Sequence, residues 1–289
     1  MKNGGAYYMK YNKISGFSDE IDKSVKVQFE ALGRLNMEYF EPRGVDGRNI
    51  STLTEDEARA LFEYMQKKDI KVSSIGSPIG KIDITDDFEP HFEVFKNVCM
   101  VAKILGTKYI RMFSFYAKDG WNNEAKKEVF RRLGAFLDYA KENDIILLHE
   151  NEKDIYGEKA PECLEIMKEF ACDNFKAVFD PANFVQAGQD TKEAYEMLKP
   201  YVAYMHIKDA LENGDIVPAG MGLGNIPYII GDLFANGFDG FISLEPHLGS
   251  FEGLADLELD DKMLKLEKGG EATFTIAYKA LEKIIDNIL

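Results

Sequence analysis

Eight short apolar runs, alternating with amphipathic stretches from one end to the other, constrain this 289-residue chain more than any other feature. The runs are KISGF (13–17), MEYFE (37–41), IKVSSIG (70–76), KYIRMF (108–113), DIILLHE (144–150), FKAVFD (175–180), VAYMHIKD (202–209) and GFISLE (240–245). Each is rich in β-branched or aromatic residues and bounded by polar residues or glycine, the pattern of buried parallel strands. The stretches between them read as helices. Thr54 with Glu57 makes a capping box before ARALFEYM, and Asp190 with Glu193 resembles one before AYEML. Gly106 closes HFEVFKNVCMVAKIL, Gly237 closes IPYIIGDLFAN, and a last helix covers 271–288.

Eight strands alternating with eight helices is the count of a closed (β/α)8 TIM barrel, an α/β fold. Strand ends at 17, 41, 76, 113, 150, 180, 206 and 245 lie 24 to 39 residues apart, which leaves no room for a second domain. Residues 1–12 read as a frayed N-terminal extension and 13–289 as one catalytic barrel. A doubly wound open sheet would need a glycine-rich phosphate loop after the first strand, and SGFSDEID does not supply GxGxxG.

Composition narrows the function. Hydrophobic residues make up 45% of the chain, enough for a large core, yet no stretch of 18 uncharged apolar residues offers a membrane span. The first twelve residues lack the apolar centre of a secretory signal. Cys99, Cys163 and Cys172 form no CxxC pair and fall in helical patterns; an odd count of buried free thiols fits a cytoplasmic protein. The formal charge of −15 repels phosphate backbones, so nucleic acid is not an expected partner. A small substrate held by a metal ion remains compatible, because the ion brings its own positive charge. Homo-oligomerisation is left open.

In a barrel the C-terminal strand ends face the active site. The last four carry Glu150 in ILLHEN, Asp180 in AVFDPANF, His206 in AYMHIKD and Glu245 in ISLEPH. Alternation puts Glu150 on a face with Leu148 and Ile146, Asp180 with Val178, His206 with Tyr204, and Glu245 with Ser243. A lone carboxylate at a strand end is more often a helix cap or an ion-pair partner than a ligand. Four consecutive ends of ligand type outweigh that reading. Three carboxylates and one imidazole suit one divalent ion, Mn²⁺ or Co²⁺ first and Mg²⁺ or Zn²⁺ next.

The set HEN, FDPANF, MHIKD and LEPH resembles the xylose-isomerase-like TIM barrel superfamily over essentially the whole chain. That superfamily includes tagatose and psicose 3-epimerases, hydroxypyruvate isomerase, inosose dehydratase and the type-IV apurinic endonucleases. The resemblance implies that Glu150, Asp180, His206 and Glu245 bind the metal. It also implies that Glu150 and Glu245 are the acid/base pair of a sugar, sugar-acid or sugar-phosphate isomerase or epimerase working through an enediolate. An inosose-dehydratase-like lyase and an aldose–ketose isomerase using a hydride shift are the alternatives. Asn183 stands where the epimerase and endonuclease patterns carry histidine; it can bond a hydroxyl but cannot titrate. SSIGSP and RMFSF lack the histidines a three-zinc endonuclease needs at strands three and four, which disfavours that branch.

Around these groups, Glu41 in YFEPRG binds a sugar hydroxyl or pairs with Arg43 or Arg111. Arg111, inside an apolar run, needs an anionic partner and either orients a site carboxylate or binds a substrate anion. Lys208 points the same way as His206, toward a substrate carboxylate, phosphate or hydroxyl, or else pairs with Asp209 or a neighbour. His247, two residues past Glu245, reaches the substrate or a metal ligand. His149 alternates away as a structural residue, and His91 reads as solvent-exposed. PAGMGLG (218–224) offers backbone N–H groups to substrate oxygens or simply turns. Weaker signals put Lys81 near the site mouth and Phe115 and Trp121 over a sugar face.

Overall fold

The computed structural model describes residues 11–248 and 270–289. Residues 1–10 of the expected extension lie outside the described residues. The barrel strands are β1 (Ile14–Gly16), β2 (Tyr39–Phe40), β3 in two pieces (Lys71–Val72 and Ile75–Gly76), β4 (Tyr109–Met112), β5 (Ile146–Glu150), β6 (Phe175–Phe179), β7 (Val202–Ile207) and β8 (Phe241–Leu244); two short hairpins, Gly44–Val45 with Arg48–Asn49 and Asp209–Ala210 with Ile216–Val217, lie outside the barrel. The helices are α1 (Val25–Arg34), α2 (Glu55–Lys67), α3 (Phe88–Leu105), α4 (Asn123–Glu142), α5 (Ala160–Phe170), α6 (Pro181–Gln186), α7 (Thr191–Leu198), α8 (Ile226–Ala235) and α9 (Glu271–Ile288). The expected helix after the sixth strand is thus two helices, broken at Gly188 with φ 68°.

Helix ends follow local chemistry. Thr54 and Glu57 make the full capping box of α2, and Gly106, left-handed at φ 81°, stops α3. The strands form one parallel sheet in the order β1-β8-β7-β6-β5-β4-β3, the last through Ile75–Gly76. β2 pairs with Lys71–Val72. Backbone bonds from Glu41 N–H to Gly16 O (2.9 Å) and from Gly76 N–H to Pro42 O (3.0 Å) join β2 to both edges of that sheet, so the barrel closes.

The alternation read from the sequence has a physical counterpart inside the ring. Leu148, Val178 and Tyr204 form a small buried cluster separate from the main core, with Ile146, Tyr109 and Phe241 against it. They plug the barrel beneath Glu150, Asp180 and His206. Ser15 and Ser73 bond side chain to side chain (2.6 Å), and Ser73 meets the Tyr204 hydroxyl (2.8 Å). The larger core lies outside the ring, where apolar helix faces cover the strands.

The glycines of 218–224 serve the protein itself. Asp209, fully buried, accepts the backbone N–H groups of Gly220 (2.8 Å), Gly222 (3.0 Å), Gly224 (2.8 Å) and Ala210 (3.0 Å). A Cβ on Gly222 would stand 2.4 Å from Asp209 Oδ1, so the loop can wrap the carboxylate only with glycine there. Two expectations are corrected. His91 is half-buried in α3 and its Nε2 accepts the Gly80 N–H at 2.8 Å; burial, aided by Arg132, pushes its pKa down to about 4. Cys172 lies just past α5 and is only half-buried, whereas Cys99 and Cys163 are buried.

Asp209→Ala removes the acceptor for four N–H groups. Bonds to a charged acceptor contribute roughly 1.5–3 kcal/mol each and do not add fully, so a loss of about 2–4 kcal/mol is expected in urea unfolding. Hydrogen exchange at 218–224 should quicken in parallel. An unchanged unfolding midpoint would show that the wrapped carboxylate contributes nothing.

Candidate metal centre

Each of the four strand-end residues is delivered by a different strand. Glu150 ends β5, Asp180 follows β6, His206 sits in β7, and Glu245 follows β8. Parallel register levels them: Glu150 lies opposite Val178, and His206 opposite Ser243. Asp180 also caps α6, its Oδ1 accepting the Asn183 N–H at 3.0 Å. One ligand atom from each residue falls within 4.8 Å of the others, and all four side chains are buried.

His206 Nδ1 lies 2.7 Å from Glu150 Oε1 and 3.4 Å from Glu245 Oε2. Lys208 Nζ is 3.0 Å from Asp180 Oδ2 and 3.4 Å from Glu245 Oε1, and Arg111 NH1 is 3.2 Å from Glu150 Oε2. Burial and crowded charges perturb Asp180, His206 and Glu245. Burial raises the Asp180 carboxyl to about 7; Lys208 opposes the shift, and the Glu245 and Glu150 charges add to it. Burial would lower His206, but Glu150 and Glu41 outweigh it and hold the imidazole well above its usual range. Glu245 goes the other way: Lys208, His206 and His247 together overcome burial and keep it ionised.

The residues fit a divalent ion. Glu150 Oε2 and Asp180 Oδ2 are buried without any hydrogen-bond partner; their cations stand at ion-pair distance only. Hard oxygen donors with one imidazole form the donor set that such ions take.

Glu41 lies beneath this group, fully buried, with Oε2 taking the Tyr204 hydroxyl at 2.7 Å and standing 3.3 Å from His206 Nε2. It is absent from the lining of the cleft above. His206 is therefore gripped at both nitrogens, Nδ1 toward the ligand carboxylates and Nε2 toward Glu41.

A cleft of about 360 Å³ opens over the site, its wall including Arg43, Lys81, Arg111, Glu152, Asn183, Lys208, Glu245 and His247. Glu245 is the one carboxylate of the four on that wall. Asn183 gives its amide N–H to Asn151 O (2.9 Å). His247 Nε2 is 3.3 Å from Glu245 Oε1 and 3.2 Å from Glu20 Oε1, with its pKa lowered mainly by burial. Lys208 does not pair with Asp209, whose carboxylate is occupied by backbone. His149 turns outward to Ser114 Oγ (2.9 Å), and burial drops its pKa to about 3. Phe115 is wholly buried among aromatic rings, and Trp121 packs on Tyr156; neither lines the cleft.

Sequence reading missed Glu152 and Asn151. Glu152, two residues past Glu150, ion-pairs with Lys81 at 2.7 Å, and that spacing was the available signal. Asn151 exchanges two bonds with the Asp180 backbone (2.9 and 3.0 Å) and so ties β5 to β6 at the ligand level.

The chain belongs to the Xylose isomerase-like TIM barrel family, whose profile matches residues 29–265. The family's members include epimerases and dehydratases. A 3-dehydroshikimate dehydratase of Bacillus anthracis is 18% identical over 199 residues, 68% of each chain. An inosose dehydratase of Mesomycoplasma hyopneumoniae is 22% identical over 179 residues, covering 57% of this chain and 58% of that one. Two solved structures share the fold with a TM-score of 0.71: IOLI protein with a binding zinc atom (20% identity, 96% of this chain, 99% of that one) and L-ribulose 3-epimerase (15%, 95% of each). No described helix is long and apolar enough to cross a membrane.

Adding Mn²⁺ at about 100 times its Kd should stabilise the fold by about 2.7 kcal/mol, read as a rise in Tm. His206→Ala should abolish the shift. Glu41→Gln, which leaves all four ligands in place, should weaken the ion 10- to 100-fold, roughly the effect of losing a histidine's outer partner. If Mn²⁺, Co²⁺, Mg²⁺ and Zn²⁺ all leave Tm unchanged, the group is not a metal centre.

Proposed function

We propose that this chain is a divalent-metal-dependent isomerase or epimerase of sugars or sugar acids, with Glu150, Asp180, His206 and Glu245 holding the ion. The observation that carries this reading is the meeting of Glu150 and Glu245 at one point. Each turns an oxygen toward His206 Nδ1, at 2.7 and 3.4 Å, from strands at opposite ends of the ligand arc. Rearranging a sugar requires moving a proton at the carbon beside a carbonyl. A bound divalent ion supplies Lewis acidity to the carbonyl and its neighbouring hydroxyl.

This chain's side chains do the rest. Glu245, on the cleft wall and held ionised, takes the proton from one face. Glu150, entering the cycle protonated, delivers its own proton to the other face, and the two carboxyls exchange protons with solvent before the next turnover. Lys208 keeps its positive charge against Asp180 and Glu245 and stabilises the negative charge that develops on the substrate oxygen. Glu41 locks the ring of His206, and Asn183 offers its amide oxygen to a hydroxyl.

A dehydratase is the second reading, and one observation favours it. Glu245 and Lys208 stand 3.4 Å apart on the cleft wall, whereas Glu150 is shielded from it. Elimination needs only a base and a cation beside the departing β-hydroxyl, and both curated relatives above are named dehydratases.

The two readings separate cleanly. On a panel of ketoses, aldoses and inososes with Mn²⁺, the isomerase reading expects deuterium from D₂O beside the carbonyl of an unsplit product. Glu150→Gln and Glu245→Gln should each lower kcat on the order of 10²-fold or more, at matched metal occupancy. Loss of water, with Glu245→Gln inactive and Glu150→Gln active, would establish the dehydratase. Conversion without deuterium uptake would indicate a hydride shift and remove the two-glutamate mechanism.

A further inference from the structure

The chain carries 35 basic against 50 acidic residues, so an arbitrary patch of its surface should be acidic. The cleft wall is the reverse. It presents Arg43, Lys81, Arg111 and Lys208 against the two carboxylates Glu152 and Glu245. These cations come from separate segments: the turn after β2, the loop after β3, β4 itself, and the residue after β7. No single helix pattern brings them together.

They are graded by depth. Arg111 and Lys208, with side chains 8% and 5% exposed, are engaged by the buried carboxylates. Arg43 and Lys81, at 27% and 32%, stand at the rim. Both are aimed. Arg43 gives Nε to Asp19 at 2.9 Å and NH2 to Glu20 at 3.4 Å, both behind it, and lies on the Phe17 ring. That leaves NH1 on the cleft side, 3.5 Å from His247 Nε2 and 3.9 Å from Glu245 Oε1. Lys81 sits 4.2 Å over the Phe113 ring and uses one of its donors on Glu152. Arg43 NH1 and the remaining Lys81 donors stay open toward the cleft, so an incoming anion can reach them without breaking the pairs that hold the two side chains in place. A neutral polyol would need no formal charge at the entrance; amides and hydroxyls satisfy it.

We propose that the cleft selects substrates bearing an anionic group, a carboxylate or a phosphate, and that Arg43 and Lys81 set this preference. The inference rests on the reading of the cleft as the substrate site, but it concerns binding and not turnover.

Calorimetry on the Mg²⁺-loaded protein with two matched pairs tests it: shikimate against methyl shikimate, and L-ribulose 5-phosphate against L-ribulose. At least one anion should bind tenfold or more tightly than its neutral partner, with the advantage growing at low salt. The pair that shows it identifies the group as carboxylate or phosphate. Lys81→Met and Arg43→Met should each cut the advantage at least fivefold while moving the neutral compound's Kd less than twofold, and Lys81→Arg should keep it. Equal affinity within both pairs, no binding of either anion, or equal weakening of charged and neutral compounds by the rim substitutions would overturn the proposal. Anion preference without turnover of any carbonyl substrate would sink only the isomerase reading.

Discussion

The mutual repulsion of Glu150, Asp180 and Glu245, packed with His206 inside 4.8 Å and buried at the floor of the cleft, sets the terms for the surrounding structure. At an effective dielectric of about 20, two like charges at that separation cost roughly 3–4 kcal/mol, and three carboxylates make three such pairs. A flexible loop would relieve the strain by moving apart. Here the four groups are fixed to the ends of four adjacent hydrogen-bonded strands, plugged from below by Leu148, Val178 and Tyr204. The neighbours are chosen accordingly. Lys208 and Arg111 are buried only because the anions are there, and each would be costly to bury alone. A divalent cation would complete the balance that two monovalent side chains leave unfinished.

Much of this is legible in the order of the amino acids alone. The barrel follows from periodicity, because eight runs of strand length must each be covered by a helix and only closure leaves no edge. The four ligands follow from the same alternation, since a polar residue two places beyond an inward apolar one must face the barrel axis. Glu41 shows where this logic stops. It ends its strand as Glu150 does, and no sequence pattern distinguishes a carboxylate facing the cleft from one a layer deeper. Its depth depends on the bond from its own N–H to Gly16 O and on the height of Tyr204, both long-range facts.

Arg43 and Asp209 were hidden for a related reason. Arg43 is aimed by Asp19 and Glu20, which follow β1 and lie more than 20 residues earlier. Asp209 looked like a partner for Lys208 because it is adjacent. A carboxylate that can collect four backbone donors gains more from them than from a single ammonium already held by two other acids. His91 misled in the same direction: a polar residue near a helix start reads as exposed, yet a turn at Gly80 needed an acceptor and took it.

The site is layered from floor to rim. Glu150, Asp180 and His206 lie deepest, and Glu245 shares the cleft wall with Arg111 and Lys208. Arg111 and Lys208 form a middle layer that neutralises the acids. The rim is built by Arg43 and Lys81 on connecting segments; Lys81 pairs with Glu152, and Arg43 reaches Glu245 only at 3.9 Å. Access to Glu150 is a property of the middle layer. Arg111 covers it, and that cover bears on whether the proton is returned or a hydroxyl leaves. Under the proposed function, one fold could host both outcomes, with the choice set by a single guanidinium over a single glutamate and not by the barrel that carries them.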